Sequence, residues 1–73
     1  MDIKVGQLLE FVDPVNVDGR VIARGTRARV GHILNEVMEP RLTLVLTGTD
    51  KPETLVVPHH VAGIHCRIVT EAS

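Results

Sequence analysis

Seventy-three residues are enough for one domain spanning 1–73, and a chain this short buries only about 60% of its unfolded surface, so a staple or a partner is expected. The single cysteine excludes an internal disulfide, and no Cys-x-x-Cys pair is present to hold a structural zinc. A formal net charge of −1, from eight basic and nine acidic side chains, excludes a global field that would steer the chain onto nucleic acid or a membrane.

Hydrophobic residues make up 44% of the chain, enough for a core, but Phe11 is the only aromatic residue, so that core is aliphatic. The opening residues Met1 to Val5 lack the apolar stretch of a secretory signal. No run approaches the ~20 apolar residues of a membrane helix, which makes the cytoplasm the expected location.

In chain order, Val5 to Val12 reads as a first strand, with Leu9 and Phe11 on one face and Leu8 and Val12 on the other. Asp13-Pro14 ends it, because proline lacks the ladder donor and restricts its predecessor. Val15 to Arg20 holds Asn16, Asp18 and Gly19, and predicts a loop with an Asp-Gly turn. Val21 to Ala23 leads into Gly25, where a positive φ is expected. Thr26, Ala28 and Val30 then alternate with Arg27 and Arg29 until Gly31 breaks the period and Ile33 resumes the buried role. That pattern predicts one long strand with a bulge or bend at Gly31.

Asn35 to Pro40, including Glu36, is a polar surface connection. Leu42, Leu44 and Leu46 alternate with Thr43, Val45 and Thr47, the cleanest strand signal in the chain, with the leucines inward. Gly48 to Glu53, through Thr49 and Pro52, predicts an exposed hairpin loop, and Thr54 to Val57 a short strand stopped by Pro58. Pro58 to Gly63 predicts a single 3₁₀ turn, since proline suits a first helical position and glycine an exit. Ile64 to Val69 closes the chain as a strand with Ile64, Cys66 and Ile68 inward, and 70–73 is expected to fray. About five strands with a 3₁₀ turn before the last describe an all-β, SH3-like small barrel, whose closure hides the edges an open sheet exposes.

The opening Val5-Gly6-Gln7, the Gly25-Thr26 start of the bent strand and Val57-Pro58 before a turn resemble the SH3-like small barrels of many accessory proteins. Among enzymes with that fold, the layout is similar to the plasmid-borne type II dihydrofolate reductases, tetramers around one pore lined by a Val-Gln-Ile-Tyr segment. The corresponding stretch here is Leu55-Val56-Val57-Pro58, with no match for the glutamine or the tyrosine. The resemblance therefore implies the fold and a tendency to associate, without the reductase activity.

Two clusters invite chemistry. Arg20, Arg24, Arg27 and Arg29 fall in ten residues free of Asp and Glu, and suit backbone contacts to RNA or DNA. Such surfaces usually add aromatic stacking platforms, which this chain lacks. Glu10, Asp13, Asp18, Glu36 and Glu39 lie near enough in sequence to neutralise the arginines. The segment from His59 to Cys66 carries imidazoles and a thiol suited to zinc, nickel or copper. His65 and Cys66, as strand neighbours, point to opposite faces, so a metal would need His59 or His60 with His65, or a second subunit.

No nucleophile is paired with a base and no phosphate loop is present, so neither catalysis nor a cofactor is expected. His32 ends the bent strand as a structural residue. Val45, Val56 and Val69 fall on the outward face, where Leu8 or Val12 could join them in an interface. The expectation is a non-catalytic interaction module, homo-oligomeric or an accessory subunit of a larger complex. Nucleic-acid binding through the arginines and metal binding through the histidines stand as alternatives.

Overall fold

Alternation, turn chemistry and one displaced glycine account for most of the architecture. The computed structural model describes residues 2–35, 37–48, 50–51 and 53–71. Its elements are β1 (Leu8–Phe11), β2 (Val15–Val17), β3 (Arg20–Ile22), β4 (Arg27–Leu34), β5 (Arg41–Leu46), β6 (Thr54–Pro58), α1 (His59–His65) and β7 (Cys66–Val69). Five strands form one antiparallel sheet in the order β6-β5-β4-β1-β7, while β2 and β3 pair only with each other. The fold is mostly β, as expected, but no sheet closes among the described residues. Glu36, Thr49, Pro52 and the end of the stretch expected to fray lie outside those residues.

Val15 to Arg20 is a correction to the expected loop, since it forms a hairpin. Its two strands are joined by Asp18 and Gly19, both at positive φ (51° and 80°), the backbone of a type I′ turn. The Gly19 N–H donates to Asn16 Oδ1 at 3.0 Å and fixes the corner. Gly25 also has positive φ, at 88°, and its N–H donates to Phe11 O. The expected bulge falls at Gly31: Val30 faces Leu44, His32 faces Thr43 and Ile33 faces Leu42, so Gly31 is an extra residue in β4. A Cβ on Gly31 would stand 3.4 Å from Val45 Cγ2, a tight but not forbidden approach.

One face of the sheet presents Leu9, Phe11, Ala28, Val30, Leu42, Leu44, Leu46, Leu55, Val57 and Cys66 to the core. Ile3, the hairpin residues Val15 and Ile22, and Ala62 of the helix cover them. Among the described residues no polar or charged side chain is buried, so the core is closed by burial of aliphatic surface. Pro58 belongs to β6 and sits on an edge strand, where a missing ladder donor does no harm.

The expected 3₁₀ turn is an α-helix of seven residues that runs through Gly63 to His65. Ile64 is accordingly not an inward strand residue. Helical geometry turns it about 200° from buried Ala62, and it is 65% exposed. Cys66 caps the helix, its N–H donating to Ala62 O, and turns inward as β7 begins.

Candidate functional site

The face of the sheet turned away from the core is built from the residues that alternation leaves over. Across it runs one row, Val69-Leu8-Arg29-Val45-Thr54, and beside it a second, Arg67-Glu10-Arg27. Glu10 lies between two arginines, accepting from Arg27 Nε at 3.0 Å and from Arg67 Nε at 2.9 Å. The Arg27 bond, followed by that of Arg67, holds its carboxyl below the usual range. Arg29 forms a fork on Glu71, Nη1 to Oε1 at 2.7 Å and Nη2 to Oε2 at 2.9 Å, and also donates to Gly6 O. The fork lowers the Glu71 carboxyl and raises the Arg29 guanidinium. Glu71 is thereby tied down within the stretch expected to fray.

Of the four clustered arginines, Arg20 is paired with Glu53, Arg27 with Glu10 and Arg29 with Glu71. Arg24 is exposed in the turn before Gly25. Most of the charge of the cluster is thus already matched. Glu10 was an expected partner. Asp13 and Glu39 serve histidines instead, and Asp18 sits in the hairpin turn. Glu53 and Glu71 lie 33 and 42 residues from their arginines, so only strand register brings them near.

The histidines are distributed along α1. The His59 backbone N–H donates to Pro40 O at 2.9 Å. His60 Nδ1 lies 2.7 and 2.8 Å from the two oxygens of Glu39, and His65 Nδ1 lies 3.2 Å from Asp13 Oδ2. His60 and His65 are five positions apart, about 140° around the helix axis, which places them on different sides of it. No group of three His, Cys, Asp or Glu among the described residues is gathered as metal ligands are. Burial pushes the Cys66 thiol up to about 11, which keeps it protonated and unreactive. His32 is exposed beyond the bulge.

Val45 and Val69 are half-buried, Val56 is 41% exposed, and Leu8 is buried outside the main core cluster. Arg29 separates Leu8 from Val45 in the row, so the outward valines do not form an unbroken apolar patch. More exposed apolar surface lies elsewhere, on residues that alternation could not single out. Val37 and Met38, between β4 and β5, are 100% and 94% exposed. With Glu39, Arg41 and Pro58 they line a pocket of about 250 Å³.

No protein-family model matches the chain, and no curated protein or solved structure matches it significantly. No helix among the described residues is long and apolar enough to cross a membrane.

Proposed function

We propose that the chain is an SH3-like small barrel acting as a non-catalytic interaction module, homo-oligomeric or an accessory subunit of a larger complex. The barrel reading is supported by the strand order β6-β5-β4-β1-β7, the long bent β4 at its centre, the early hairpin and the short helix before the last strand. The interaction reading is carried by one observation: Val37 and Met38 stand free beside a pocket, although the aliphatic core is complete without them.

Two surfaces divide the roles. A second copy would meet the outer sheet face through Val45, Val56 and Val69, while a larger subunit would meet Val37, Met38 and Pro58. Ion pairing at Arg20, Arg27 and Arg29 weighs against the nucleic-acid alternative, since a phosphate must displace a carboxylate at each.

Sedimentation of the wild-type chain at high micromolar concentration tests the first role. An oligomer that Val56→Lys dissociates and Met38→Asp leaves intact supports self-association through the sheet. A stable monomer overturns self-association and leaves the foreign subunit. Capture of one defined partner that Met38→Asp abolishes supports the second role, and capture unaffected by Met38→Asp overturns it. Tight retention on RNA or DNA at physiological salt would overturn both in favour of the arginines.

A further inference from the structure

The five-stranded sheet ends in two outer strands, β6 and β7, and their free edges are finished differently. Along an antiparallel edge strand the residues alternate. One spends its N–H and C=O on the neighbouring strand, and the next turns both away from it. The Leu46 N–H donates to Glu53 O and the His59 N–H to Pro40 O, which with the β5–β6 register makes Glu53, Leu55, Val57 and His59 the spent positions. Thr54, Val56 and Pro58 therefore turn their backbone groups outward, Pro58 with a carbonyl alone. On β7 the bond from the Val12 N–H to His65 O sets the same alternation and leaves Cys66 and Ile68 outward. The Cys66 N–H is already donated to Ala62 O, so within β7 only Ile68 keeps both groups free.

Side chains sharpen the difference. β7 carries the charged Arg67, whereas Thr54-Leu55-Val56-Val57-Pro58 holds no charge. Edges are ordinarily kept from pairing with other chains by charged side chains, by proline or by cover. On β6 the proline blunts only the last position. The β2–β3 hairpin comes near β6 but pairs only with itself, and the Thr54 and Val56 side chains stay exposed.

We propose that β6 is the docking edge for β6 of a second copy, paired antiparallel across a two-fold axis at Val56. The proposal rests on the self-association reading and narrows it from the outer face to this edge. A two-fold at Val56 maps the outward positions 54, 56 and 58 onto 58, 56 and 54, so the whole free edge is used. Each Val56 N–H then donates to the Val56 carbonyl of the other copy, and each Thr54 N–H to the Pro58 carbonyl. The donor that Pro58 lacks leaves no N–H unmatched. No like charges are set opposite each other, because the same register places Glu53 of one copy against His59 of the other. The two Val56 side chains, 41% exposed in the single chain, meet on the outer face. The pairing closes on itself, and the edges that remain are the shorter ones of β7.

The test is amide hydrogen exchange of the full chain, followed by NMR at concentrations chosen by sedimentation. Where about nine-tenths of the chain is paired, the Thr54 and Val56 amides should exchange about tenfold more slowly than in dilute solution, because exchange then proceeds through the unpaired tenth. The Ile68 amide, on the other edge, should be unaffected by concentration. Thr54→Pro removes one outward donor while leaving the ladder to β5 and the valines of the outer face in place. It should weaken the pairing by about tenfold or more, with the Leu55 and Val57 amides still protected to show that the variant is folded. An oligomer whose Thr54 and Val56 amides exchange as fast as in the monomer, or one that Thr54→Pro leaves intact, would overturn the edge and leave association through the outer face standing. A chain that stays monomeric at high micromolar concentration overturns both. Protection of Thr54 and Val56 that appears only with a foreign subunit overturns the second copy as occupant.

Discussion

The two faces of the five-stranded sheet are built from the same strands and work by different physics. Inward, β5 contributes Leu42, Leu44 and Leu46, and none of the core positions carries a charge. Outward, neighbouring strands contribute Arg27, Arg29, Arg67 and Glu10, joined by Glu71 from beyond β7. The inner face is non-directional and sensitive to volume, whereas the outer face is directional and sensitive to salt and protons. A period of two is enough to keep them apart.

The largest break in this contrast should come from the inner face. Leu44→Ala removes a fully buried side chain at the centre of β5 and should cost about 2–5 kcal/mol, read by urea denaturation. In a domain of this size that amounts to most or all of the stability. A loss below about half a kcal/mol would mean that Leu44 has room to be replaced, against the packing described.

Next in size is a kinetic contrast. With its thiol pushed up to about 11 and its side chain buried, Cys66 should react slowly with iodoacetamide at pH 8 in the folded chain and rapidly in urea. Equal rates in both conditions would show that β7 opens readily and that the inner face does not extend to it.

The smallest effects belong to the outer face. Glu10→Gln should lower the unfolding midpoint far less than Leu44→Ala, and added salt should shrink the difference. Acid gives the sign. The carboxyls of Glu10 and Glu71 are depressed in the folded chain, so their contribution is present above the ordinary value of 4.5 and is lost as pH falls through the folded values. The wild type should therefore lose more stability than Glu10→Gln between about pH 5 and 3, followed by denaturant melts at each pH. Equal acid losses would remove Glu10 from the account.

What could be read from the residues follows the same division. The leucines of β5, the Asp-Gly turn, the bulge at Gly31 and the inward Cys66 were legible because each rests on a local rule of period or backbone conformation. The hairpin strand Val15–Val17 was hidden because Asn16 and Asp18 signal turns more loudly than two valines signal a strand. Ile64 was misassigned for a related reason. Gly63 reads as a helix exit, but the helix runs two residues past it, to His65, before Cys66 turns inward. The ion pairs were legible only in part, since Glu53 and Glu71 reach their arginines through register, which local sequence does not encode. Val37 and Met38 escaped because a connection has no period against which an exposed apolar residue stands out.

The extra residue in β4 separates two properties that strands usually couple. Because Val30 pairs with Leu44 and His32 with Thr43, excising Gly31 would leave every cross-strand partner in place and every side chain on its present face. Only the local kink would go. The local bend that a bulge imposes is thus carried by one extra residue, while pairing is written in all the others. A one-residue deletion, ordinarily the most disruptive change a strand can suffer, becomes at this position a way to flatten the sheet without rewriting its register.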